Sequence, residues 1–248
     1  MTRPLLTLKS CEIGYAGRRL TQPITCDIPE GACVGVIGSN GSGKTTFVKT
    51  ILGLVALLSG SYIWPTNPTF GYVPQENRLN PLFPITVMDL LKMGYLPNLP
   101  RFQFTSSEFN AAAERVMDVL EIAPLKTRLV RELSGGQRQR TLIARALITQ
   151  PRVLILDEPL NSLDYAFKQK LWGLLTELRK KENMSIVLIE HDLNRVINHV
   201  DWMMLLGTSG TLYGPTQDVM DESNLSDVFQ TPVQILRGSH GQIQVQFL

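Results

Sequence analysis

The chain has 248 residues, 44% of them hydrophobic, and a formal net charge of +2. That length supports one large domain, or a core with a smaller insertion, and the apolar fraction suits a packed interior rather than a disordered chain. Acids and bases are interspersed with no basic stripe, so no nucleic-acid partner is expected.

Arg3 and Pro4 open a mixed segment without an apolar h-region, and no secretory leader is expected. Residues 5–13 and 20–28 read as strands, with a hairpin through 14–19. Residues 33–37 (CVGVI) form a short apolar run, the mark of a buried parallel strand. Cys11, Cys26 and Cys33 are scattered with no CxxC pair, which reads as free, structural thiols in a reducing compartment. A glycine-rich turn leads into a helix from about Lys44. The longest apolar stretch, 51–58, is far short of the roughly 20 residues that cross a membrane, so a membrane is reached only through a partner. Another short strand ends at 72–75.

Residues 76–150 are more polar and read as a helical insertion. One helix is expected at 86–93. Thr105 and Glu108 have capping-box spacing, and Phe109, Ala112, Ala113, Val116, Val119 and Leu120 then follow a helical period. The strand pattern returns at 153–157 (VLILD). A helix with Phe167, Leu171, Leu174, Leu175 and Leu178 on one face follows, then a buried strand at 185–190 (SIVLIE). Alternation of this kind predicts an α/β core with a mostly parallel sheet. In the tail, 216–248, a turn at 238–241 separates two runs that predict a hairpin.

The chemistry begins at Gly38, Ser39, Asn40, Gly41, Ser42, Gly43, Lys44, Thr45 and Thr46, which fit GxxxxGK(S/T) between a buried strand and a helix. Glycines let several backbone N–H groups converge on one anion, and the helix N-terminus adds partial positive charge. Lys44 supplies a full charge to the β- and γ-phosphates of a nucleotide, expected to be ATP, and the Thr45 hydroxyl can ligate Mg²⁺. Asp157 and Glu158 close an apolar strand. A carboxylate buried there needs a partner, which a magnesium ion opposite Thr45 would give Asp157. Glu158 is then placed to polarise the attacking water.

Leu133, Ser134, Gly135, Gly136 and Gln137, continued by Arg138 and Arg140, resemble the signature motif of ATP-binding-cassette (ABC) proteins. Read from its residues alone, this is a Ser–Gly–Gly turn opening a helix that can bind an anion. The resemblance covers roughly 5–215 and implies further roles. Gln75 sits like the Q-loop glutamine, a ligand to Mg²⁺ and the attacking water. Asn161, Ser162, Leu163 and Asp164 resemble the D-loop. His191 resembles the switch histidine that contacts the γ-phosphate, and Tyr15 the aromatic residue that stacks on adenine. His199 and His240 read as surface or turn residues. The implied fold is a P-loop NTPase core (about 1–75 and 151–215) with an N-terminal antiparallel β subdomain and an inserted helical subdomain. The implied assembly is a head-to-tail homodimer in which each signature segment closes over the partner's ATP. Glu190 stands where the family often has Ser or Thr, a negative charge expected to slow turnover. Asn161 and Ser162 are a less frequent D-loop start.

The short interval between 59–60 and 72–75, with 83–87 (FPITV) and Met93 and Gly94 downstream, resembles the ATPases of zinc, manganese and iron-ion importers. Polytopic permease subunits and, indirectly, a solute-binding protein are the implied partners, at the cytoplasmic face of the membrane. The apolar segment 79–99, including Leu82 and Phe83, is expected to dock the permease. Met88, Met93 and Met117 read as core or docking residues. A siderophore or cobalamin importer and a non-transport regulatory ATPase stay open as alternatives. A chromosome-organising ATPase would need long coiled-coil heptads that the insertion has no room for.

Overall fold

In the computed structural model, residues 3–15, 17–75, 83–95, 106–207, 210–238 and 242–248 are described. The chain divides into two compact units, 1–67 with 183–248, and 68–182. The first unit opens with β1 (Pro4–Glu12), β2 (Gly14–Tyr15), β3 (Arg18–Arg19), β4 (Ile24–Pro29), β5 (Cys33–Gly38), α1 (Lys44–Ile51) and β6 (Ser59–Ile63). The second is continuous: β7 (Phe70–Val73), α2 (Val87–Tyr95), α3 (Ser106–Val119), α4 (Gly135–Leu147), β8 (Val153–Asp157) and α5 (Tyr165–Glu182). The chain then returns to the first unit with β9 (Ser185–Glu190), β10 (Trp202–Leu206), β11 (Thr211–Pro215), α6 (Thr216–Val219), α7 (Glu222–Phe229), β12 (Val233–Arg237) and β13 (Ile243–Phe247).

In the first unit, β1 pairs antiparallel with β4 on one side and β6 on the other. β5 pairs in parallel with β10 and with β9, and β11 closes the β10 side antiparallel. Every residue of β5 and β9 is buried. Strands covered on both faces carry continuous apolar runs rather than alternation, which is why both were legible. Phe47, Val48 and Ile51 give α1 its buried side. β2 and β3 form the expected early hairpin, and β12 and β13 the expected late one.

In the second unit, β7 and β8 run parallel, from Phe70 opposite Val153 to Val73 opposite Leu156. Val87, Leu90 and Leu91 bury one side of α2, and Leu142, Ile143 and Leu147 one side of α4. Helix α2 starts on a capping box that sequence reading passed over: Thr86 N donates to Asp89 Oδ2 (3.0 Å) and Asp89 N to Thr86 Oγ1 (3.1 Å). The box expected at Thr105 and Glu108 begins outside the described residues, and α3 is described from Ser106. His240, Leu82 and, within 79–99, residues 79–82 and 96–99 also lie outside them. Within that segment Phe83 and Met93 are exposed, Met88 is half-buried, and Val87, Leu90 and Leu91 are core. Met117 is core as well, and His199 is exposed.

The 51–58 run does not continue α1. The helix stops at Ile51, and Leu54 and Leu58 lie exposed beyond it. Among the described residues no helix is long and apolar enough to cross a membrane. None of the three cysteines forms a disulfide. Burial, reinforced by the neighbouring Asp27 carboxylate, pushes the Cys26 thiol up to about 12.

Phe47 is 1% exposed and anchors the helix that follows the phosphate loop. Phe47→Ala is expected to destabilise the chain by about 3–5 kcal/mol through lost burial and a residual cavity. Urea denaturation followed by tryptophan fluorescence measures it, and a loss below about 1 kcal/mol would mean the site collapses freely.

Candidate nucleotide site

The first unit holds the phosphate loop. β5 ends at Gly38 and α1 begins at Lys44, so the loop must reverse between them. Gly41 and Gly43 do so with φ of 82° and 94°, left-handed values that side chains disfavour. At Gly38 a Cβ would come within 2.4 Å of Leu206 O and 2.5 Å of Ser42 Oγ, so only glycine lets the loop lie this close to β10. Gly43 is the N-cap of α1; among the described residues no side chain caps the helix, and no acid sits in its first turn. The leading N–H groups therefore face a site that favours an anion. Lys44 is 6% exposed, and its Nζ lies 2.9 Å from both Gly38 O and Ser39 O, at the mouth of the loop. Thr45 is half-buried, Thr46 buried, and Ser39, Asn40 and Gly41 exposed.

Two further expected residues are in the same unit. Tyr15 is 47% exposed at the β2 end of its hairpin. The stem of that hairpin lies against the loop: a Cβ on Gly43 would meet Leu20 Cβ at 3.4 Å and Ile13 Cδ1 at 3.5 Å. His191 follows β9, whose last residue, Glu190, is level with Ile37 in the parallel ladder. His191 thus leaves the sheet beside Gly38, and it is exposed. Glu190 is fully buried, with Arg195 Nη1 3.8 Å from its Oε2, so its charge has a cationic neighbour.

The second unit gathers the remaining residues. Gln75 lies two residues past β7 and is exposed, while Asp157, 1% exposed, ends the adjacent β8. Glu158 follows at φ 50°, an uncommon backbone state for a residue with a side chain. Asn161 Nδ2 donates to Glu158 Oε2 at 2.7 Å, a contact that sequence reading did not anticipate. The three-residue spacing from Glu to Asn was its only trace.

Ser134 is the N-cap of α4. Its Oγ accepts from Gln137 N at 3.3 Å, and Gln137 Oε1 accepts from Ser134 N at 3.1 Å. Gln137 is thereby a capping residue, which the S-x-x-Q spacing encodes. The signature glycines pass close to the D-loop: a Cβ on Gly136 would lie 3.1 Å from Ser162 O, and one on Gly135 3.6 Å from Ser162 Cβ. Asp164 has both oxygens engaged, one by Phe167 N (2.8 Å) and one by Arg140 Nη2 (3.2 Å). The backbone bond from Phe167, then the Arg140 charge, hold its carboxyl below the usual range. Arg140 also donates to Glu121 at 3.1 Å and lies 3.6 Å above the Phe167 ring. One side chain thus ties the signature helix to the D-loop.

The family model described as "ABC transporter" matches residues 21–161, more than half of the chain. The chain belongs to the ABC transporter family. Its place there is the ATP-hydrolysing component, an ABC ATPase. It is 31% identical over 229 residues to the zinc import ATP-binding protein ZnuC of Pseudomonas fluorescens, covering 92% of this chain and 84% of that protein. It is also 31% identical to the manganese transport system ATP-binding protein MntB of Bacillus subtilis, covering 90% and 91%. Among solved structures, a chain of an ABC transporter assigned to the metal-chelate type, in an inward-facing conformation, superposes with TM-score 0.85 at 28% identity, covering 99% of this chain and 97% of that one. An ATP-binding cassette in its ADP conformation shares the fold (TM-score 0.74, 23% identity, 91% and 98% covered). The expected α/β fold and ABC membership both stand.

Glu158→Gln is expected to keep ATP binding and lose turnover by about 10²–10⁴-fold, the usual cost of a missing general base. Phosphate release measured alongside binding of a fluorescent ATP analogue separates the two. Turnover near the wild-type rate would move the base elsewhere.

Proposed function

We propose that this ABC ATPase powers an importer of a transition-metal ion, zinc, manganese or iron, from the cytoplasmic face of a membrane. The observation that carries the reading is its likeness, over nine-tenths of its length, to subunits named for zinc import and manganese transport. A polytopic permease would be its membrane partner and a solute-binding protein its indirect one.

In this reading the loop N–H groups and Lys44 hold the β- and γ-phosphates, and Tyr15 stacks on adenine. Thr45, Gln75 and Asp157 offer a hydroxyl, an amide oxygen and a carboxylate, an all-oxygen set that fits a hard cation such as Mg²⁺. When bound, Mg²⁺ neutralises charge on the phosphate oxygens. Glu158, held by Asn161, orients the attacking water and accepts its proton. His191 hydrogen-bonds the γ-phosphate oxygens as their charge redistributes. Ser134, Gly135 and Gly136 at the α4 N-terminus face the ATP of a second copy of the chain. Gln137 and Asp164 support this by shaping the cap and the D-loop.

A second reading has its own support, the TM-score of 0.85 to a metal-chelate type transporter. Uptake by cells carrying the chain and its permease decides between them. Accumulation of free Zn²⁺ or Mn²⁺, abolished by Lys44→Ala, is the expected result. Accumulation only of a chelated metal would favour the second reading, and no dependence on Lys44 would reject transport by this chain.

The dimer has a separate test. Lys44→Ala spoils a chain's own site, and Ser134→Arg spoils its partner's. Mixing the two inactive variants places both defects on one site of the heterodimer and leaves the other intact. ATPase activity is expected to reappear on mixing. No recovery, together with nucleotide-dependent crosslinks only within a chain between cysteines placed at Ser39 and Ser134, would reject the head-to-tail arrangement.

A further inference from the structure

Side chains meet the β12–β13 hairpin on both edges, at N–H and C=O groups of β13 and at N–H groups of β12. Ile243 and Val245 turn their N–H and C=O groups away from β12. Asn194 meets Val245 with a reciprocal pair: Nδ2 donates to Val245 O at 2.8 Å, and Val245 N donates to Oδ1 at 2.7 Å. Asn198 does the same at Ile243, at 3.0 and 2.9 Å. Each amide thus presents a donor and an acceptor side by side, as a hydrogen-bonded residue of an antiparallel neighbour would. On the opposite edge, Glu222 Oε1 accepts from Ile235 N (2.7 Å) and Ser226 Oγ from Val233 N (3.0 Å), both from α7. Phe247 packs edge-on to Phe229.

The spacing explains why two asparagines suffice. Leu193 O accepts from Ile197 N and Val196 O from Val200 N, so 193–200 is wound as a short helical turn. Asn194 and Asn198 stand four residues apart on this turn, which begins in 3-10 geometry at Leu193–Arg195, and their partners Val245 and Ile243 stand two residues apart on the strand. Asn194 and Asn198 therefore fall in step with Val245 and Ile243.

This turn leaves directly from His191. Arg195, between the two asparagines, reaches Asp192 Oδ2 at 3.1 Å and Glu190 Oε2 at 3.8 Å, one residue on either side of the histidine. Asp192 Oδ1 in turn accepts from Asn194 N at 3.1 Å. The residues flanking His191 are held by the same segment that the hairpin grips.

We propose that the 233–247 hairpin is a positioning element for His191, acting through Asn194 and Asn198. The proposal rests on the reading of His191 as the γ-phosphate contact. It places the hairpin's effect on the chemical step and not on ATP binding, since the loop N–H groups, Lys44 and Tyr15 lie outside this network.

The test is the intact chain carrying Asn194→Asp and Asn198→Asp. Size is kept, but each Nδ2 donor is lost and a negative charge is set against a backbone carbonyl. The expected result is a kcat lower by about 10- to 100-fold, the scale of a displacement near 1 Å at a reacting group. KM for ATP should stay within about twofold, because an interaction made only in the transition state is what is lost. Amide hydrogen exchange should accelerate at Ile243 and Val245 and across 192–199. Should the double variant fail to fold, Asn198→Asp alone is expected to give the same pattern with a smaller loss. Faster exchange in the hairpin with an unchanged kcat would overturn the proposal. So would unchanged exchange, or a rise in KM that matches the loss in kcat. A wild-type chain that binds no ATP would remove the nucleotide reading itself, and this proposal with it.

Discussion

β5 lies between β10 and β9 with every residue buried, and this placement governs the first unit. A central parallel strand cannot turn back by a hairpin; the chain must leave the end of the sheet and return as a helix. The exit is narrow, with Leu206 O pressed against Gly38. Glycines are the physical solution, and the loop they make exposes N–H groups to whatever lies at the strand ends. Because β9 is parallel to β5, its own exit residue, His191, emerges at the same level. The phosphate loop and the histidine are thus consequences of one strand order.

The second unit works by a different constraint. The residues proposed to act from it sit at the ends of β7 and β8 and at the start of α4, and polar contacts fix several of them. Ser134 and Gln137 cap one another, Asp164 caps α5, and Arg140 joins α4 to the D-loop while covering Phe167. Such partly exposed pairs add little stability singly. Their value here is geometric, since each removes freedom from a segment that carries a proposed site residue. The left-handed backbone at Glu158, braced by Asn161, belongs to the same pattern.

The elements that carry chemistry were legible because they announce themselves locally. CVGVI before GxxxxGK and VLILD before Glu158 each combine a buried strand with an abrupt change of residue type. Other elements gave weaker signals. β6 (SGSYI) holds Gly and two Ser, poor strand formers, and its pairing with β1 is long-range. β10 (WMMLL) is apolar throughout and reads equally well as helix or strand, so only its parallel pairing with β5 decides it. The Asn161–Glu158 bond and the Arg140 network depend on rotamers and loop paths that no spacing rule contains. The Asn194 and Asn198 contacts join residues about 50 apart in sequence, although their i, i+4 spacing is visible once the partner strand is known.

The side chains that meet both hairpin edges have a consequence for the chain's behaviour at high concentration. A two-stranded ribbon normally offers two rows of open N–H and C=O groups, each a template on which another chain can add a strand. Here four side chains occupy those rows: Asn194 and Asn198 along β13, Glu222 and Ser226 along β12. The ribbon also carries apolar side chains exposed to solvent, among them Leu236 and Phe247. Apolar surface beside an open edge is the combination from which cross-strand aggregation grows. Blocking the edges with side chains disarms it without charging or shortening the strands, so the protection against self-association is lodged in α7 and in the turn after His191, outside the hairpin's own sequence.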